Sequence, residues 1–327
     1  MSKPLRWGIL GTGWIADLFV KDLLLTGHRV TSVGSRTREN AERFAERFGI
    51  PQAHGSYESL VADPLVDIVY VATPHPMHAA NATAALNAGK HVLIEKPFTL
   101  NAAEARAVVD LAKARNLVVL EAMWTRFLPH MVRIRELIAS GALGTVYSVI
   151  ADHTRDLPDD PGHRLNALAL GGGALLDLGI YPVSFAWQVL GKPEEILSMA
   201  RFKSSGADAE VATIFRHGGG AMSTTISASD NAGRNVASIL GTAARIDIDA
   251  TWYAPTSFRL LGSDDKVIET YVSEVPGRGM QYQADEIERL VAAGLLAGDI
   301  LPPEESVAIM QTLDAIRAQI GLRYPGE

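Results

Sequence analysis

The stretch that most narrows the fold is Gly11-Thr12-Gly13-Trp14-Ile15-Ala16. It follows Leu5-Arg6-Trp7-Gly8-Ile9-Leu10, which reads as a short buried strand, and opens an amphipathic segment reaching about Leu25. In this GxGxxA pattern Gly11 permits a tight turn, Gly13 lets a diphosphate approach the backbone, and Ala16 allows close helix–strand packing. The start of the following helix offers unpaired N–H groups and a positive dipole end. Glycine-rich turns are common, but one set between a strand and a helix has the context that a dinucleotide site needs.

Strands and helices then alternate through residue 124, which predicts a doubly wound parallel sheet. The second strand, Arg29–Gly34, ends in Ser35-Arg36-Thr37-Arg38. A site for NAD would carry Asp or Glu there to hold the ribose 2′-hydroxyl. The missing carboxylate and the arginines favour NADP, with NAD as the alternative. Arg38 reads equally well as the start of the helix Arg38–Phe48, so Arg36 is the stronger candidate, with Ser35 as hydrogen-bond donor. A third buried strand, 66–72, ends in Thr73-Pro74-His75-Pro76, expected on the nicotinamide side of the crevice. His75 stands equally as a loop residue without a role. A helix over 77–88 stops at Gly89. The strand 91–94 then delivers Glu95-Lys96-Pro97 to a strand end, where ligands of open α/β sheets bind. A capped helix from Asn101 to Arg115 and a strand 118–121 complete the unit.

Beyond residue 124 the pattern changes, which places domains at 1–124 and 125–327. A helix with proline at its start covers Pro129–Ala139. Strands are expected over 146–153, 211–217, 221–228, 236–240, Ala244–Ile248, 257–261 and Val267–Tyr271, joined by glycine-rich turns as in antiparallel meanders. Helices follow over 280–297, expected to pack back on the first domain, and Pro303–Ile320. The fold class is therefore α/β: an N-terminal doubly wound sheet and a C-terminal α+β domain with one large open, mainly antiparallel sheet. Such a sheet keeps one face free, often for another subunit. Between its first two expected strands, Gly171-Gly172-Gly173 precedes a helix bearing Asp177 and Tyr181, four residues apart and so on one face. A first-turn aspartate and a core tyrosine would give the same spacing.

Composition removes several classes. The 327 residues carry a net charge of −7 with no dense basic cluster, which argues against nucleic acid. There is no cysteine, hence no disulfide or thiolate metal ligand, and the nine histidines show no HExxH spacing, so no metal is expected. Met1-Ser2-Lys3-Pro4 leads straight into a strand, and the apolar stretches read as too short or interrupted to span a bilayer. The expectation is a cytoplasmic protein with no membrane partner.

With these residues in hand, the chain resembles the Gfo/Idh/MocA oxidoreductase family. The Gly11-Thr12-Gly13 turn, Glu95-Lys96-Pro97 and the Asp177–Tyr181 helix occur in its order and at its distances. Glu121-Ala122-Met123-Trp124-Thr125-Arg126-Phe127 and the 171–182 segment look like its dihydrodiol dehydrogenase and NADP-dependent D-xylose dehydrogenase branch. The inositol dehydrogenase branch has histidine where this chain has Tyr181. The resemblance implies a sugar or cyclic diol substrate and a homodimer, or dimer of dimers, formed through the open sheet. It assigns to the cofactor Gly11, Thr12, Gly13, Trp14, Ile15, Ser35, Arg36, Arg38, Thr73, Pro74, His75, His78, Glu95, Lys96 and Trp124. It assigns to the substrate Lys96, Trp124, Arg126, His153, Arg164, Asp177 and Tyr181, with Arg155 and Asn166 as further polar residues for sugar hydroxyls; His153 reads equally well as an ordinary strand histidine.

Family and chemistry agree on proton-coupled hydride transfer, with Lys96, Tyr181 and Asp177 as the catalytic set. Oxidising an alcohol requires a base for its hydroxyl proton. Tyr181 fits if a cation such as Lys96 lowers a phenol pKa that is ordinarily near 10, and Lys96 with its own pKa lowered by burial fits as well. Asp177 would orient the substrate or hold Lys96. Two other uses of such a fold stay open at this point. One is a glycoside-processing enzyme with tightly bound cofactor, and the other is a non-catalytic NADP sensor.

Overall fold

The computed structural model describes residues 4–160 and 162–327. Met1-Ser2-Lys3, part of the expected leaderless start, lie outside the described residues. The chain divides into two compact units, Met1–Phe127 with Pro276–Val307, and Leu128–Val275 with Ala308–Glu327.

The first unit is built on β1 (Arg6–Leu10), β2 (Arg29–Gly34), β3 (Gln52–His54), β4 (Ile68–Val71), β5 (His91–Glu95) and β6 (Val119–Ala122). They lie in the order β3-β2-β1-β4-β5-β6, every pair parallel. Ile68-Val69-Tyr70-Val71 and Val92-Leu93-Ile94 are buried throughout, as strands covered on both faces must be. The connecting helices are α1 (Trp14–Leu25), α2 (Arg38–Phe48), α3 (Tyr57–Val61), α4 (His78–Asn87) and α5 (Ala102–Ala114). Strand order reverses at β1, between β2 and β4, so a ligand crevice opens beyond the carboxyl ends of β1 and β4. The sequence patterns did not signal β3 or α3, which are only three and five residues long.

The second unit begins with α6 (Pro129–Ala139). Its eight-stranded sheet comprises β7 (Val146–Thr154), β8 (Pro193–Phe202), β9 (Asp208–His217), β10 (Met222–Ala228), β11 (Ala237–Gly241), β12 (Ala244–Ile248), β13 (Phe258–Gly262) and β14 (Val267–Tyr271). The order is β14-β13-β12-β11-β7-β10-β9-β8, antiparallel except where β7 runs beside β10. β8 was not expected. Its opening Pro193-Glu194-Glu195 imitates a helix start, and as an edge strand it carries apolar residues on its exposed side. α7 (Ile180–Leu190) packs on β7 and β10. The segment Leu168–Leu190 is long and apolar enough to cross a bilayer, contrary to the sequence expectation. Its most apolar window is 83% buried inside the protein, which is the behaviour of a core helix.

A single boundary near residue 124 does not describe the chain, because residues 276–307 return to the first unit. α8 (Gln281–Ala293) packs against α1 and β6 through Ala284, Ile287 and Leu290, all buried. Buried Asp22 of α1 accepts hydrogen bonds from the backbone N–H groups of Arg278 (2.9 and 3.1 Å) and Met280 (2.8 Å). Glu288 accepts from the Trp7 indole N–H at 2.7 Å. α9 (Pro303–Ile320) contains the last change of unit.

Candidate active site

In the first unit the glycine turn has the geometry its sequence implied. Gly11 has φ +116°, and a Cβ there would stand 2.7 Å from the Ala72 carbonyl oxygen, so only glycine fits without strain. At Gly13 the space a Cβ would enter is empty within 4 Å. Gly13 is also the N-cap of α1 and supplies no side-chain hydrogen bond to the helix start. Open space against uncapped N–H groups suits a diphosphate, so these residues fit the dinucleotide that the fold implies. Trp14, the first residue of α1, is 66% exposed, Ile15 is half-buried and Ala16 is buried.

At the end of β2, Ser35 is buried with its hydroxyl 3.4 Å from that of Thr12. Arg36 is exposed and makes no ion pair among the described residues. Arg38 instead pairs with Glu42 one turn along α2, at 2.7 Å, behind a Thr37 N-cap. The two arginines thus have different surroundings, in the order the sequence ranked them.

Beyond β4, His75 and His78 are both buried, their rings 5.7 Å apart. His78 places Nε2 2.7 Å from the Thr73 carbonyl and Nδ1 2.9 Å from that of Pro97. Burial lowers its pKa against the opposing pull of these two carbonyls, and a neutral ring can donate to only one of them at a time. This histidine joins the loop after β4 to the loop after β5. Asn81 adds a hydrogen bond to the Thr73 hydroxyl at 3.0 Å. Pro74 lies between them as the residue before a short 3₁₀ turn.

β5 ends at Glu95, whose carboxylate accepts from the Tyr70 hydroxyl and, at 3.2 Å, from the Lys96 backbone N–H. Lys96 is half-buried, and its bond to Pro97 is cis. The next N–H, that of Phe98, donates to Glu121 at 3.1 Å. Glu121 is fully buried, and burial pushes its carboxyl up to about 7. Sequence reading missed this support, since a glutamate in a four-residue strand carries no separate signal. After β6, Trp124 is buried in a 3₁₀ turn, and Arg126 is buried with Nη2 2.7 Å from Glu305.

In the second unit, Asp177 lies in a single π-helical turn, Leu175–Gly179, that leads into α7. Such turns inside helices are frequent at functional sites. The glycine run makes close approach possible. A Cβ on Gly173, at φ +137°, would stand 1.9 Å from an Asp208 oxygen, and one on Gly179 2.9 Å from the Ser227 hydroxyl. Asp208 is fully buried and accepts from the Leu175 N–H at 2.6 Å, so a carboxylate caps the helix that carries both candidate residues.

Tyr181 and Asp177 are each 8% exposed. Arg164 Nη1 lies 3.6 Å from Asp177, a long ion pair. The His153 ring stands edge-on to Tyr181 with centroids 5.0 Å apart and stacks on Tyr253 at 3.7 Å. Tyr181 and Tyr253 are 5.2 Å apart, and Arg155 donates to the Tyr253 hydroxyl at 3.2 Å. Tyr253, in the loop between β12 and β13, has no motif around it and was missed. Asn166 was expected to meet substrate but is committed to its own loop. Its amide donates to the carbonyls of Pro158 (2.6 Å) and Asp160 (2.8 Å), and its oxygen accepts from Lys203 at 2.8 Å.

Comparison with known proteins bears on the family of the chain. Residues 5–123 match the model of an oxidoreductase family with an NAD-binding Rossmann fold, and residues 131–247 match the GFO/IDH/MocA C-terminal domain. The chain is 37% identical to the D-xylose 1-dehydrogenase (NADP(+)) of Hypocrea jecorina, over 98% of this chain and 93% of that protein. It is also 37% identical to the trans-1,2-dihydrobenzene-1,2-diol dehydrogenase of Mus musculus, over 98% of both. Among solved structures it is similar to the aldose-aldose oxidoreductase of Caulobacter crescentus, with a TM-score of 0.87, 26% identity and 97% of each chain covered. A 3-ketoreductase from Actinomadura kijaniata, solved with NADP and TDP-benzene, gives a TM-score of 0.86 at 25% identity, covering 97% of this chain and 98% of that one. Two matched domains and near-complete coverage by relatives above 35% identity place the chain in the Gfo/Idh/MocA family of oxidoreductases.

Proposed function

We propose that this chain is an NADP(H)-dependent dehydrogenase that passes hydride between nicotinamide and a carbon bearing a hydroxyl or carbonyl in a sugar or cyclic diol. The observation that carries the cofactor preference is the end of β2, where buried Ser35 and exposed Arg36 stand in place of a carboxylate. The cofactor would be held by the Gly11–Ile15 turn, Ser35 and Arg36, and by the loop of Thr73, Pro74 and His75. The Glu95-Lys96 strand end and Trp124 would face its other half. Bound nicotinamide supplies the hydride acceptor or donor.

The chain's own residues handle the proton. Tyr181 and Lys96 are the pair proposed for its transfer, Tyr181 as the group that takes the hydroxyl proton and Lys96 as the cation that favours the phenolate. Asp177 and Arg164 orient substrate hydroxyls. The stacked rings of His153 and Tyr253 offer an aromatic face beside Tyr181, suited to the apolar face of a sugar ring or an unsaturated cyclic diol. His78 acts by holding two loops together. Arg38, bound to Glu42, contributes to the adenine side at most by its charge.

The outer face of the second unit's sheet supports a homodimer. Cross-strand pairing lines up Leu197 with Ile214 and Ile150 with Thr224, next to Met199, Met222 and Ile226. Leu197 and Met199 are 71% and 81% exposed, so this strand face presents neighbouring apolar side chains of the kind that mark a protein–protein contact. The test of function is the initial rate of nicotinamide reduction with NADP⁺ or NAD⁺ against a panel of aldoses, inositols and cyclic diols. NADP⁺-dependent turnover lost in both Lys96→Met and Tyr181→Phe is expected. Binding of NADP⁺ without turnover of any panel member would sink the dehydrogenase reading.

A further inference from the structure

The turn that begins the return segment of the first unit is built around one side chain, that of Arg278. Gly277 and Gly279 flank it with φ of +66° and +92°. A Cβ on Gly277 would stand 2.3 Å from an Asp22 oxygen. The Asp22 carboxylate fixes this turn by accepting from the N–H groups of residues 278 and 280, so the arginine leaves a rigid base. Its guanidinium carbon lies 5.5 Å from the centroid of the Trp14 ring and 5.0 Å from that of Trp124. Trp14 is the residue directly after Gly13, on the first turn of α1, and Trp124 follows β6. The guanidinium therefore stands between the first turn of α1 and the segment that follows β6.

No carboxylate among the described residues lies within ion-pair distance of Arg278, and its Nε is buried without a hydrogen-bond partner. Most of the other partly buried arginines in this unit have an anion, as Arg6 has Asp67 and Arg126 has Glu305. Two indoles hold the cation's position by cation–π attraction but supply no acceptor for its fork of N–H donors. Acceptors at that place are what a diphosphate on the Gly11–Gly13 turn brings, and guanidinium binds phosphate oxygens in bidentate fashion.

We propose that Arg278 is the diphosphate counter-ion of the bound dinucleotide, closing over the side opposite the helix N-terminus. The assignment rests on the cofactor reading above. It is tested by calorimetric titration of the purified protein and its Arg278→Met and Arg278→Gln variants with three probes. These are NADP⁺, 2′-phospho-ADP-ribose, which keeps the diphosphate, and adenosine 2′-monophosphate, which lacks it. Met keeps an apolar stem between the indoles, and Gln keeps a planar polar head, so loss of either variant to misfolding leaves the other to decide.

The expected result is a Kd weakened by about 10- to 100-fold for NADP⁺ and 2′-phospho-ADP-ribose, as for loss of a charge-assisted hydrogen-bond pair. Binding of adenosine 2′-monophosphate stays within about twofold, and NADP⁺ binding by the variants depends less steeply on salt than that of the wild type, since one screened charge pair is gone. Unchanged NADP⁺ affinity in a folded variant, or equal loss for all three probes, overturns the assignment and leaves Arg278 a packing residue. A wild-type protein that binds neither NADP⁺ nor NAD⁺ overturns the cofactor reading itself and this assignment with it.

Discussion

Asp208 offers the sharpest test of how the helix bearing Asp177 and Tyr181 is held. Burial raises its carboxyl from 3.8 to about 6, against the opposing pull of hydrogen bonds from the N–H groups at the start of that helix. A carboxyl whose folded pKa lies above its unfolded value contributes stability that is complete below about pH 4 and is lost as pH rises through about 6. About two units at 1.36 kcal/mol each make this loss about 3 kcal/mol. Asp208→Asn removes the titration. Its amide oxygen can still accept from Leu175, and its NH₂ takes the place of Oδ1, which is buried without a partner. The variant is therefore expected to lose stability at about pH 4, where the acid is neutral and the mispaired amide is the whole effect. Relative to wild type it should recover about 3 kcal/mol by about pH 8. Urea unfolding followed by tryptophan fluorescence at the two pH values measures this, since Trp187 and Trp252 both belong to the second unit. A wild-type-minus-variant difference that does not move with pH by at least about 1 kcal/mol would refute the argument that this helix is capped by a buried, reluctant anion.

His28 should show a pH dependence over a different range. Burial opposes its charge, but hydrogen bonds to Asp285 and Glu288 raise its pKa from 6.5 to about 9. That contribution is complete below about pH 6.5 and is lost as pH rises through about 9, worth about 1–2 kcal/mol after solvent screening. His28→Gln should flatten the alkaline limb of the stability profile by that amount. Arg126→Met should lower urea stability by about 2–3 kcal/mol, by stranding Glu305, while leaving KM within about twofold. A raised KM at unchanged stability would return Arg126 to the substrate. Gly11→Ala should weaken NADP⁺ binding by about tenfold or more and destabilise by about 1–3 kcal/mol, because its Cβ meets the Ala72 carbonyl in a strained conformation. Calorimetry and urea unfolding would both show it. Met199→Glu, on the exposed sheet face, should shift sedimentation from dimer to monomer without loss of secondary structure, and a protein already monomeric before mutation would end the dimer proposal.

What could be read from the chain, and what could not, follows from the range over which each constraint acts. The glycine turn and the parallel strands are local patterns, and the structure places both as their periodicities imply, whereas Asp177 sits in a π-helical turn rather than in the α-helix its spacing from Tyr181 suggested. Elements without a local signature were missed. β3 is too short to show a period, β8 opens like a helix, and Tyr253 reaches its ring partners from a loop about a hundred residues after His153. The return of residues 276–307 was foreshadowed only by an amphipathic helix, because the carboxylate that fixes it, Asp22, looks in sequence like any other polar residue of α1.

The arginines show why residue type alone does not assign a site. Arg36, Arg38, Arg126 and Arg278 have the same side chain in the same unit, and sequence reading ranked the first three as ligand contacts and passed over the fourth. Structure separates them by whether an anion of the protein's own already satisfies the guanidinium. Arg38 has Glu42 and Arg126 has Glu305, so each can turn to a ligand only by giving up a pair, which in the buried case costs several kcal/mol. Arg36 and Arg278 have no such partner among the described residues. A cation held in place beside a phosphate-binding turn, with its donors unspent, gains most from a phosphate. That criterion is what both proposals rest on, Arg36 for the cofactor's 2′-phosphate and Arg278 for its diphosphate.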